Sequence, residues 1–160
     1  MADITALKPF EGRRSLDMST CDGVSEMLAH GGTGLIKRKL LTSLAMDFEV
    51  VPLAENGKVF IIEKQYTTFV NKHVKLEVGM DNQFKSYVPY YDDAFGVDVG
   101  KACKYNASNG HMYSHATSTG KHLGYEWDED RYIEGGDFHW ITVLKYKGKE
   151  TTHHRVFLQK

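Results

Sequence analysis

Hydrophobic positions recur at every second residue over much of this chain. Met46, Phe48 and Val50 alternate with Asp47 and Glu49, the pattern of a strand with one buried and one solvated face. The run meets Pro52 and the turn signal Glu55-Asn56-Gly57. Residues 58–66, 69–78 and 138–145 are rich in β-branched and aromatic side chains and are bounded by Gly, Asn or Asp, so each is predicted to be a strand. In the second of these, Val74, Leu76 and Val78 alternate with Lys75 and Glu77, which sends one face inward and the other to water. Turn signals at residues 106–110, at Ser118-Thr119-Gly120, at Glu134-Gly135-Gly136 and at Lys147-Gly148-Lys149 separate further short strand-like runs.

Before Met46 the period is helical. Val24, Met27 and Leu28 fall at i, i+3 and i+4, with Asp22 placed to cap the helix. Gly31, Gly32 and Gly34 then interrupt the chain, and Ile36, Leu40, Leu41 and Leu44 form a second apolar stripe. Residues 9–16 are predicted to be a first strand, with Gly12 at a bend. Residues 87–100 carry Pro89 and are predicted to be a long connection or a distorted hairpin. Two short helices followed by a meander of strands predict an all-β class. The architecture is a closed antiparallel β-barrel of about ten strands capped by a helix-turn-helix, because closure removes exposed sheet edges; a sandwich is the alternative.

The chain has 160 residues, enough for one domain over residues 1–160 with a core of its own. Twenty basic and 21 acidic residues leave a formal charge of −1, which gives no overall pull toward nucleic acid. Lys37-Arg38-Lys39 therefore reads as a solvated helix face rather than part of a DNA-binding module. The opening MADITALKPF lacks an apolar run behind a basic flank, and no stretch approaches a membrane span, so a monomeric cytoplasmic protein is expected. Cys21 and Cys103 are too sparse for a disulfide framework and are read as thiols. No nucleotide fingerprint and no nucleophile elbow is present, and no cofactor is expected.

Taken in order, Phe10-Glu11-Gly12, residues 26–40, residues 57–79 and Arg155-Val156-Phe157 resemble the intracellular fatty-acid-binding protein family. Residues 26–40 (EMLAHGGTGLIKRKL) resemble its helix-turn-helix, with Arg38-Lys39 matching its Arg-Lys pair. Phe10-Glu11-Gly12 is similar to the opening Phe-x-Gly, with Arg14 in place of the usual following aromatic. Residues 57–79 follow the central hairpin, and Arg155-Val156-Phe157 resembles the final-strand Arg-x-Tyr with Phe for Tyr. The likeness covers residues 10–79 and 138–160 and blurs over 85–135, where insertions are implied because family members are usually shorter.

The resemblance implies a hydrophobic small-molecule ligand such as a fatty acid or retinoid, and weak, transient contact with anionic membrane. It makes Arg155 the leading anchor for a ligand carboxylate, with Arg131 as a second arginine; the alternative for each is a surface side chain in a weak ion pair. On a final strand, His153, Arg155 and Phe157 share one face, the candidate cavity face. Phe69 and Trp127 are further candidate lining residues, and Met27, Leu28, Ile36 and Leu40 are candidate portal residues. Phe157 lacks the hydroxyl of the family's Tyr, so an altered headgroup is implied. His111 and His115 share a strand face and are candidate acid-base groups for an enzyme on the same barrel, luciferase-like or isomerising. No third ligand completes a metal site, so none is expected.

Overall fold

The computed structural model describes residues 2–21 and 23–160, so the expected Asp22 cap lies outside the described residues; Gly23 stands at the head of the first helix. A 3₁₀ helix, Thr5–Phe10, occupies the start of the predicted first strand, and β1 is confined to Gly12–Leu16. After the lid helices α1 (Val24–His30) and α2 (Leu35–Ser43) come β2 (Asp47–Glu55), β3 (Lys58–Tyr66), β4 (Asn71–Gly79), β5 (Val88–Asp92) and β6 (Val97–Asn106). The chain ends with β7 (His111–Ser118), β8 (Glu126–Glu134), β9 (Asp137–Tyr146) and β10 (Lys149–Gln159). No described helix is long and apolar enough to cross a membrane.

The strands run β4-β3-β2-β1-β10-β9-β8-β7-β6-β5 in one sheet, antiparallel between neighbours. The expected closed antiparallel barrel forms, with one parallel pairing at its seam. Val78 and Gly79 of β4 pair with Cys103 and Lys104 of β6 in a parallel contact, which closes nine strands and leaves β5 as an extra strand on β6. The reason is topological. Between β4 and β6 the chain reverses twice, so the two strands must run the same way when they meet. Gly79 makes the exit possible, since a Cβ there would sit 1.6 Å from the Gln83 carbonyl oxygen.

Residues 87–100 form the β5–β6 hairpin, and Pro89 is tolerated because β5 is an edge. Pro52 does not end β2, which continues to Glu55 in register with β3. Pairing with β1 runs only from Asp47 to Val50, so β2 is locally an edge at the proline. The β2–β3 turn has Asn56 at φ 51° and Gly57 at φ 75°, the paired positive values of a hairpin turn that an Asn-Gly dipeptide accepts.

Period-two burial holds along the strands, and the inward side chains gather into two clusters. At one end Phe10, Phe48, Phe138, Trp140 and Phe157 pack together, with Phe48 centred 4.8 Å from Trp140 and 5.6 Å from Phe157. At the lid end Met27 of α1 packs with Val97, Val99, Tyr125, Trp127 and Leu144. Phe48 is the hub of the first cluster. Phe48→Ala is expected to lower unfolding free energy by about 3–5 kcal/mol, as measured by urea denaturation. A loss below about 1 kcal/mol would mean that the ring packs only loosely.

Candidate functional site

Between the two clusters and beneath the helices lies a cavity of about 520 Å³, a size typical of small-molecule sites. Its upper wall is mainly apolar. Met27 and Leu28 come from α1, Leu40, Leu41 and Leu44 from α2 and the residue after it, and Phe69 from the β3–β4 turn. Lys37, Leu40, Leu41 and Leu44 fall at i, i+3, i+4 and i+7, so that helical face looks into the cavity. Ile36, expected on the same stripe, lies about 100° around the helix from Lys37 and is 87% exposed. It does not line the cavity.

The lower wall is polar and comes from three adjacent strands. The period of two turns His153 and Arg155 of β10, Trp140 and Thr142 of β9, and Trp127 and Glu129 of β8 into the cavity. Arg155 lies directly opposite Trp140, which in turn lies opposite Arg131. The indole ring is thus flanked by two guanidinium carbons, Arg155 Cζ at 4.6 Å and Arg131 Cζ at 5.5 Å from its centroid, with Lys101 Nζ at 5.6 Å.

The two arginines have opposite fates. Arg131 is fully buried, pairs with Glu63 and donates to the Ser114 hydroxyl. Lys101 bridges the two buried carboxylates, 3.1 Å from Glu63 and 3.0 Å from Glu129. Burial works against the charge of Glu63, but Arg131 and Lys101 outweigh it and hold its carboxyl down at about 2. Burial also opposes the charge on Lys101 and Arg131, and the carboxylates around them raise both pKa values despite it. Arg131 is therefore neither the surface residue nor the cavity-lining residue anticipated from sequence, because Glu63 already engages it.

Arg155 is surrounded by protein yet keeps a surface on the cavity, and no described carboxylate lies within ion-pairing distance. Burial lowers its pKa, with Glu129 and other groups opposing from farther away. Phe157 does not reach the cavity, as Phe48, Phe138 and Trp140 enclose its ring. His153 lines the cavity and is 6% exposed. Burial, then the neighbouring Arg155 and His154, lower its pKa to about 4, so its imidazole is neutral at neutral pH.

His111 and His115 alternate with buried Met112, Ser114 and Ala116 and so stand on the outer face of β7, each with a carboxylate of β8. They lie outside the cavity, which corrects their reading as cavity groups. The structure does bring Glu126 and Asp128 to His115, with ligand atoms within 4.8 Å of one another, a convergence across strands that the sequence spacing conceals. Asp128 is there already bonded to His115 and Lys145.

Glu63, Lys101, Glu129, Trp140 and Thr142 were missed in the sequence. For two of them a signal existed. Glu63 continues the inward register of Val59 and Ile61, and Glu129 lies between Trp127 and Arg131 on one face, so each is a charge at a core position.

This helix-capped barrel with a lateral cavity has the fold of the fatty-acid- and lipid-binding proteins. Lipid binding protein 8 of Caenorhabditis elegans superposes with a TM-score of 0.68 at 16% identity, over 100% of this chain and 99% of that one. A fatty acid-binding protein from brain tissue of Drosophila melanogaster gives 0.66 at 17% identity, over 94% and 99%. The Schistosoma mansoni fatty acid binding protein, solved in complex with arachidonic acid, gives 0.67 at 12% identity, over 97% and 98%. No protein-family model and no curated protein matches the chain by sequence.

Glu63→Ala removes the hinge of the charge network and leaves Arg131 buried without its partner; a loss of about 3–5 kcal/mol of stability is expected in denaturant titration. His153 sets a pH dependence. Between pH 6.5 and about 4 the unfolded chain protonates this residue while the folded chain resists, so its contribution is fully present above 6.5 and is lost as pH falls toward 4. The slope of stability against pH in that window should therefore be shallower in His153→Phe than in the parent protein.

Proposed function

We propose that the protein binds and carries a hydrophobic small molecule with one anionic headgroup, of the fatty-acid or retinoid kind, in the barrel cavity. The observation that carries this reading is Arg155, a guanidinium on the polar wall of the cavity that makes no ion pair with any described carboxylate. A ligand carboxylate supplies that partner, and the guanidinium fork matches its two oxygens. The Trp140 Nε1 donor, buried without a partner at the position opposite Arg155, favours an acceptor in the same place. The chain of the ligand lies against the leucines and methionines of the lid, each buried methylene contributing about 0.8 kcal/mol.

The fold shared with lipid-binding proteins supports the reading, as does the arachidonic acid held by the Schistosoma protein. The carrier acts as a cytoplasmic monomer that loads through the lid. Exposed Leu35, Ile36 and Phe69 beside the basic Lys37-Arg38-Lys39 run suit brief contact with an anionic bilayer surface.

Arg155→Ala is expected to weaken binding of a long-chain fatty acid about 10- to 100-fold, the equivalent of losing charge-assisted hydrogen bonds. Binding of the alcohol of the same chain should change less than about 3-fold. Isothermal titration with the acid and the alcohol measures both. Equal affinity of parent and variant for the acid would overturn the anchoring role.

A further inference from the structure

Three side chains beside Arg155 form a row in which each has a buried polar atom that makes no hydrogen bond. Glu129 of β8 lies directly opposite Thr142 of β9, which lies directly opposite His153 of β10. Neighbours placed in this way have Cβ atoms about 5 Å apart. Thr142 Oγ1, His153 Nε2 and Glu129 Oε1 are all buried and make no hydrogen bond. Lys101 lies 3.0 Å from Glu129 Oε1, but its approach is not aligned for a hydrogen bond, so a lone pair of that oxygen stays unsatisfied. Glu129 and His153 are 4% and 6% exposed, and all three residues line the cavity.

A buried polar atom without a partner costs about 1–3 kcal/mol. Two of them, Thr142 Oγ1 and His153 Nε2, beside a Glu129 oxygen held only by the Lys101 ion pair, mark a place on one cavity wall where something else makes the bonds. The chemistry of the row narrows what that is. Glu129 accepts only. Thr142 donates and accepts, and the neutral His153 imidazole offers Nε2 as either donor or acceptor. A hydroxyl, which both donates and accepts, fits such a set, whereas a second carboxylate would meet the Glu129 charge.

The position of the row sets where on the ligand that hydroxyl falls. His153 precedes Arg155 by two residues on β10, a rise of about 7 Å along the strand. A Cβ on Gly23, at the head of α1, would come 3.8 Å from His153 Nδ1, so the row lies on the lid side of Arg155. A chain anchored at Arg155 and running out to the lid crosses the row several bonds from its acid group.

We propose that Glu129, Thr142 and His153 form a second polar subsite, and that the ligand is an oxygenated fatty acid whose hydroxyl lies a few carbons from the carboxylate. The inference rests on the carrier reading given above and narrows its ligand class. It accounts for a cavity wall that keeps Arg155 without an ion pair and sets neutral and acidic hydrogen-bonding groups beside it.

The test compares stearic acid with its positional monohydroxy isomers by isothermal titration against the full chain. Isomers hydroxylated in the part of the chain nearest the acid should bind about tenfold more tightly than stearic acid, and those hydroxylated near the methyl end should not. In Thr142→Val and in His153→Phe this preference should fall to about twofold or less, with circular dichroism and cooperative unfolding verifying that each variant folds. If stearic acid and every isomer bind the parent protein alike, the subsite holds only water or nothing and the inference fails while the carrier reading stands. If none of these acids binds, the carrier reading fails and takes the inference with it. A preference that survives both substitutions would also overturn the subsite.

Discussion

Inside the barrel two carboxylates, Glu63 and Glu129, meet two cations, Lys101 and Arg131, all nearly or fully out of water. An isolated buried charge would be prohibitive, and the four are tolerable because they sum to zero, with Glu63 hydrogen-bonded to Lys101 and Arg131 and Glu129 ion-paired with Lys101. The network ties β3, β6 and β8 together across the interior. It also decides what the cavity can recognise. With Arg131 neutralised by Glu63, Arg155 is the cation of the polar wall without an ion pair, and Trp140 stands between it and the network, with Arg131, Lys101 and Arg155 all within about 6 Å of its ring.

Core and cavity coexist in one barrel because the aromatic residues are concentrated at one end. Phe10, Phe48, Phe138 and Phe157 fill the interior on one side of Trp140, and on the other side the wall turns polar and the space opens. Phe157 belongs to the packed side. A phenyl ring enclosed by Phe48, Phe138 and Trp140 needs no hydrogen bond, whereas a tyrosine hydroxyl there would need a partner. The phenylalanine at this position therefore follows from the packing of the closed end, and the polar work of the cavity falls to β8, β9 and β10.

The lid is fastened from several directions. His30 of α1 meets the Thr151 hydroxyl and, at 2.8 Å, the Tyr146 carbonyl, and the Tyr125 hydroxyl donates to the Gly31 carbonyl at 2.6 Å. Helix α2 has no such ties. None of its residues is buried, and several of its apolar side chains face either the cavity or solvent. The α2 side, between that helix and the β3–β4 turn that carries Phe69, is thus the more loosely held part of the lid.

Alternation and runs of β-branched and aromatic residues were enough to locate β2, β3, β4 and β9, because strand periodicity is local and a one-residue slip would expose the whole inward face, whereas β5 to β8 were marked only by the turns between them. The same parity put His153, Arg155 and Phe157 on one side of β10. The parallel seam between β4 and β6 was beyond such reasoning, since it follows from two chain reversals and not from any residue pattern. So was the choice between the two arginines. Arg131 and Glu63 are 68 residues apart in the chain, and no local signal tells that one cation is paired and the other is not. The sequence by itself determined which residues face inward. Only closure of the barrel decided which of them meet, because partners for buried charges come from strands that are neighbours in space and distant along the chain.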